Sequence, residues 1–129
     1  MKISFETTPW FEAWLSSLKR TNAYIRVVAR LQKAERGHFG DCRTIDQGVF
    51  EMRMHFGPGY RVYVMRRDTT IYLLIGGGDK STQERDIDMA LTLAYDNKVN
   101  FDDVFAQVTM WDAITYNHLL KKKIAIPPK

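Results

Sequence analysis

Residues 49–80 read VFEMRMHFGPGYRVYVMRRDTTIYLLIGGGDK, and the rest of the chain is organised around them. Phe50, Met52, Met54 and Phe56 alternate with Val49, Glu51, Arg53 and His55, the period-two pattern of a half-buried strand. Gly57-Pro58-Gly59 then reverses the chain, because glycine tolerates positive φ and the proline ring locks its own φ at a negative value. Tyr60 to Met65 predicts a second strand, Asp68-Thr69 a second turn, and Ile71 to Ile75 a third strand that runs out in Gly76-Gly77-Gly78-Asp79-Lys80. Paired in order, the three strands form an antiparallel sheet with its apolar rows against helices. The opposite face gathers Glu51, Arg53, His55, Arg61 and Tyr63. Cations, a phenol and an imidazole on one open face suit an anionic ligand.

Upstream, residues 3–7 read as a short strand or an extended arm. Thr8-Pro9 is a helix start with a hydroxyl cap and proline in the first turn, and Trp10, Phe11, Trp14, Leu15 and Leu18 supply an apolar stripe. The spacing predicts helices over Pro9–Lys19 and Asn22–Arg36, the second closed by Gly37, joined as an αα-hairpin. Arg26, Arg30, Lys33 and Arg36 give the second helix a positive face for phosphates or an acidic partner. His38 to Asp41 is a loop, and Cys42 to Ile45 a short strand. Cys42 has no histidine beside it in sequence and reads as an inert thiol.

Downstream, the three glycines lack the spacing of a phosphate-binding loop and read as a tight exit from the sheet. Ser81 and Glu84 form a capping box for a helix whose stripe is Ile87, Ala90, Leu91 and Ala94, ending at Tyr95. Asp96-Asn97-Lys98 breaks the pattern, and Asn100 caps a further helix whose apolar row, Phe101, Val104, Phe105, Val108 and Trp111, is expected to dock. The class is α+β: an N-terminal αα-hairpin packed on an antiparallel sheet, followed by C-terminal helices. Residues 1–97 make the main domain, and 98–129 a helical extension with a basic tail packing on it.

At 129 residues the chain is one domain with room for a core. No stretch reaches the roughly 18 apolar residues of a membrane span. The opening MKISFETTPWFEAWL lacks a signal-peptide core, so a cytoplasmic protein with no membrane partner is expected. One cysteine excludes an internal disulfide framework, and three scattered histidines argue against a zinc site. No metal or cofactor is called for. Net charge is +4 but uneven, with 13 Lys/Arg against 8 Asp/Glu in residues 1–80 and 2 against 7 in residues 81–112. A basic body with an acidic flank can meet nucleic acid, meet an acidic protein, or partly neutralise itself.

Several blocks carry a family resemblance over residues 5–95. They are Trp14-Leu15, Ala29-Arg30-Leu31, Gly37-His38-Phe39-Gly40-Asp41, Gly57-Pro58-Gly59-Tyr60-Arg61-Val62-Tyr63, and Gly77-Gly78-Asp79-Lys80-Ser81-Thr82-Gln83 with Asp86-Ile87. In order and spacing they resemble the RelE/ParE toxin superfamily, specifically the phage-derived, HigB-like addiction module killer proteins. The resemblance implies the toxin of a type II toxin–antitoxin system, a ribosome-dependent mRNA endoribonuclease or mRNA interferase that inhibits translation and growth. It also implies a HigA-like helix-turn-helix antitoxin as partner, with a homodimer left open. The superfamily includes gyrase poisons, so a non-nuclease gyrase inhibitor, or an inactive antitoxin-binding homologue, is the alternative. Family position implies Arg61 as a phosphate clamp and Lys80 as a second cation. Arg53, Glu51 and His55 complete the catalytic candidates from their place on the sheet face, without a named general base. Arg26, Arg30, Arg43, Tyr63 and Tyr95 are the RNA-binding candidates.

Overall fold

A computed structural model describes residues 3–46 and 48–103, with side chains as far as Asp96. Strand β3 (Val49–Arg53) pairs antiparallel with β4 (Arg61–Arg66) across the glycine turn, where Gly57 and Gly59 take φ of 56° and 81°. β4 pairs antiparallel with β5 (Ile71–Gly78), and β3 with β2 (Cys42–Asp46). The chain opens with β1 (Ser4–Thr7), which adds to the far side of β5 in parallel, so the five strands lie in the order β1-β5-β4-β3-β2.

The expected arrangement, an N-terminal αα-hairpin on an antiparallel sheet, is therefore corrected. A strand precedes the helices, and the sheet is mixed. Helices α1 (Pro9–Ser17) and α2 (Asn22–Glu35) occupy the expected segments, but α1 makes its close backbone approach to β5. Glycine makes that approach feasible. A Cβ at Gly76 would collide with the Trp10 ring, and one at Gly77 with the Trp14 ring. The glycines are thus part of β5, not the exit loop expected from sequence.

The sheet is covered on both faces. On one, Phe11, Leu18, Val27, Leu31 and Ala34 pack against Met52, Met54, Val62, Val64 and Leu74. On the other, α3 (Gln83–Asp103) lays Met89, Ala90, Leu93 and Ala94 over Val49, Tyr63, Met65, Leu73 and Ile75. Burying each large side chain contributes about 1.5–3 kcal/mol before ordering entropy is subtracted. The face expected to be open therefore lies under a helix.

The start of α3 also differs in detail. The capping box is built by Asp79 and Thr82 around a 3₁₀ turn at Lys80–Thr82, and not by Ser81 and Glu84. Asp96-Asn97-Lys98 does not interrupt α3, since each of these residues costs a helix under about 1 kcal/mol. Asn100 accordingly lies inside α3 and not at the start of a further helix. Helix α3 crosses the expected boundary at residue 97 and takes in Phe101, and the rest of the apolar row, Val104 to Trp111, and the basic tail lie beyond the described residues. No helix among those described is long and apolar enough to cross a membrane.

Candidate functional site

Register brings chemistry to one end of the sheet. Gly78 of β5 sits opposite Arg61 of β4, and Arg61 opposite Arg53 of β3. The Arg53 amide then donates to the Asp41 carbonyl just before β2, at 2.9 Å. Three strands and the loop before β2 thus present Gly78, Arg61, Arg53 and Asp41 in a row.

At the outer part of this row, the Asp41 carboxylate accepts from the Arg53 guanidinium at 3.2 Å and pairs with His55 Nε2 at 2.6 Å. The hydrogen bonds from His55 and then Arg53 hold the Asp41 carboxyl below its usual range, so it is ionised at neutral pH. An ionised carboxylate only accepts. The His55 proton on that side is therefore on Nε2, which leaves Nδ1 with its lone pair when the ring is neutral. The His55 side chain is 67% exposed and that of Arg53 33% exposed. This is an oriented imidazole facing solvent beside a guanidinium.

The backbone under this pair is held by Arg30. Its guanidinium donates to the Phe39 carbonyl from Nε and Nη2, to Arg53 O from Nη1 at 2.7 Å, and to Asp41 O from Nη2 at 3.0 Å. Arg30, an RNA-binding candidate from sequence, is thus engaged as the clamp that seats the Asp41 loop. One helical turn earlier, Arg26 lies exposed over the Phe56 ring, 3.9 Å from its centroid, next to His55.

The inner part of the row is sealed. Glu51 is wholly buried and accepts from Arg43 Nε at 3.1 Å and Gln83 Nε2 at 2.8 Å. Arg61 is 5% exposed, with Nε 3.8 Å from Glu51 Oε2. Tyr63 is buried, its ring stacked on Trp10, and its hydroxyl and the Arg61 Nε lack a well-formed hydrogen bond. Burial, then the Glu51 and Asp86 charges, push the Tyr63 phenol well up. Glu51, Arg61 and Tyr63 are thereby corrected: Gln83 and the α3 residues after it cover them, so none stands on an open face. Arg43 is half-exposed and tied to Glu51. Lys80 is exposed, its stem alongside Gly59. Tyr95 is exposed, but twelve residues beyond Gln83, about 18 Å along the helix, and far from this cluster. Burial pushes the Cys42 thiol up, as suits an unreactive cysteine.

Sequence reading placed Arg53 and His55 together but missed Asp41, the residue that joins them. Its signals in the sequence are its position after Gly40 at the mouth of a strand and its place at the end of the Gly37-His38-Phe39-Gly40-Asp41 block. No group of three or more His, Cys, Asp or Glu able to hold a metal occurs among the described residues.

No protein-family model and no solved structure matches the chain. It is 43% identical over 94 residues to an uncharacterized protein of Haemophilus influenzae (strain ATCC 51907 / DSM 11121 / KW20 / Rd), an alignment spanning 73% of this chain and 95% of that protein. The chain belongs to the same family as this uncharacterized Haemophilus influenzae protein.

Proposed function

We propose that the protein is the toxin of a type II toxin–antitoxin pair, acting in the cytoplasm as an endoribonuclease on ribosome-bound mRNA and neutralised by a helix-turn-helix antitoxin. The observation that carries the nuclease reading is the exposed Asp41–His55 pair at 2.6 Å, flanked by Arg53. The toxin context rests on the sequence blocks that resemble the HigB-like killers.

In this reading His55 Nδ1 takes the proton of a ribose 2′-hydroxyl, and Asp41 holds the imidazole through Nε2–H and stabilises the imidazolium. The 2′-oxygen bonds to the adjacent phosphorus, and the bond from phosphorus to the 5′-oxygen breaks. The departing oxygen takes a proton from solvent or from the imidazolium. The products are a 2′,3′-cyclic phosphate and a 5′-hydroxyl end. Arg53 places positive charge where the phosphorane gathers negative charge, and Arg26 and Lys80 attract the strand.

The test is single-turnover cleavage of mRNA on programmed ribosomes, with 5′-end mapping and circular dichroism as a folding control. A general base contributes about 10²–10⁴ in rate, so His55→Ala is expected to cleave at least about 10²-fold more slowly while staying folded. Wild-type cleavage by His55→Ala overturns the base assignment. Gyrase inhibition with no cleavage by the unaltered protein replaces the nuclease reading with a non-catalytic toxin, consistent with Arg61 being sealed beneath α3.

A further inference from the structure

At the β5 end of the same row, between α1, the Gly77-Gly78 backbone and the start of α3, the structure has a cleft of about 630 Å³. Trp10, Trp14 and Tyr60 give it aromatic walls, and Ser17, Asp79, Thr82, Arg85 and Asp86 its polar groups. The volume lies within the range of about 300–1,000 Å³ typical of small-ligand sites. Trp14 and Tyr60 meet at 6.3 Å between centroids, with planes 63° apart, forming a corner rather than a closed stack.

The floor has an unusual carboxyl. Asp86 is 3% exposed, and a carboxylate in that setting is costly unless its oxygens are used. Oδ2 accepts from the Thr82 hydroxyl at 2.6 Å, whereas the nearest cation to Oδ1 is Arg85 Nε at 3.9 Å, beyond hydrogen-bond range. Burial pushes the Asp86 carboxyl up, the Thr82 bond and Arg85 draw it back, and the neighbouring Asp79 charge adds to the rise. The Arg85 side chain is 63% exposed. Gly78 must be glycine for this arrangement, since a Cβ there would collide with the Asp86 carboxyl.

We infer that the cleft is a nucleobase pocket, in which a guanine of the RNA chain stacks in the Trp14–Tyr60 corner, donates its N–H edge to Asp86, and has its phosphate met by Arg85. This rests on the nuclease reading and gives that site its base preference. Every base has a π-face for the aromatic walls, so discrimination falls to the carboxyl. Guanine presents two adjacent donors, N1–H and the N2 amino group. The adenine and cytosine amino groups each adjoin a ring acceptor, and the uracil N3–H lies between two carbonyls, which a carboxylate repels. Position agrees: Gly78 and Asp41 are three inter-strand steps apart, about 14 Å, a distance that a few nucleotides of single strand span. One strand laid across the sheet end then has a base in the cleft and a phosphate at His55.

The experiment is a titration of the full chain carrying Trp111→Phe, so that fluorescence comes from Trp10 and Trp14. Guanosine monophosphate is expected to quench saturably and to bind about tenfold or more tightly than uridine monophosphate, as one charged hydrogen bond implies. Asp86→Asn is expected to erase that tenfold preference, and Arg85→Ala to weaken the monophosphate while leaving guanosine unchanged. Should Asp86→Asn lose its fold by circular dichroism, the Arg85→Ala pair of titrations decides. Equal binding of the two nucleotides, no quenching, or quenching only by an acidic helical peptide overturns the inference. The titration needs neither ribosomes nor cleavage. A failed nuclease reading therefore leaves it intact, and a failed cleft leaves the His55 cleavage assay standing.

Discussion

Replacing Arg30 by alanine distinguishes a clamp from a phosphate contact. In the wild-type protein its guanidinium makes two bonds to the Phe39 carbonyl at 2.9 and 2.7 Å, one to Arg53 O at 2.7 Å and one to Asp41 O at 3.0 Å. A hydrogen bond with a charged donor contributes about 1.5–3 kcal/mol net. The site is half-exposed, so water replaces part of what is lost, and two of the Arg30 bonds share one acceptor. The expected loss is about 2–4 kcal/mol, a large share of the 5–15 kcal/mol that holds an ordinary domain together. Arg30→Lys should recover only part of it, since an ammonium lacks the planar fork that reaches three carbonyls at once. Urea unfolding with an unchanged slope measures the loss, and hydrogen exchange should show faster opening at residues 38–41. Cleavage should fall as well, because Asp41 is carried by the loop that Arg30 seats. A variant within about 0.5 kcal/mol of wild type that binds RNA more weakly would refute the clamp and return Arg30 to the surface role read from sequence.

Glu51→Ala strands the buried Arg61 guanidinium without its carboxylate and is expected to cost about 3–5 kcal/mol; an unchanged urea midpoint would contradict the burial described. Tyr63 has its pKa raised by burial and by Glu51 and Asp86, so its contribution is complete below the ordinary phenol pKa of about 10 and is lost as pH rises above it. Thermal melts between about pH 8 and 11 should show a steeper alkaline decline in wild type than in Tyr63→Phe, and parallel curves would show that the phenol is not the cause. Gly78→Ala drives a methyl into the Asp86 carboxyl and to within 2.9 Å of the Thr82 hydroxyl, for an expected loss of about 1–3 kcal/mol. Wild-type stability with an intact cleft by nucleotide titration would show that α3 yields there freely.

The information legible in the bare chain is local. The alternation of residues 49–56, the reversal at Gly57-Pro58-Gly59 and the apolar stripes of α1 and α2 are written in periods of two and 3.6, because each element buries one side of its own backbone. They placed Arg53 and His55 near one another on or beside the same strand. Which partner covers each face is set by long-range packing. β1 is four residues long and has no distinctive alternation, so its parallel pairing with β5 is a long-range choice with no local mark. The row of Glu51, Arg61 and Tyr63 looked like an open cationic face because strand periodicity tells two faces apart without saying that both are buried. Helix α3 made that decision by laying its apolar stripe on the second face, sealing Arg61 against Glu51. Asp41 joined His55 because β2 and β3 pair antiparallel and bring the loop before one beside the end of the other. Trp10 and Trp14, read as part of an apolar stripe, became walls of a cleft because Gly76 and Gly77 let their helix lie against the bare backbone of β5.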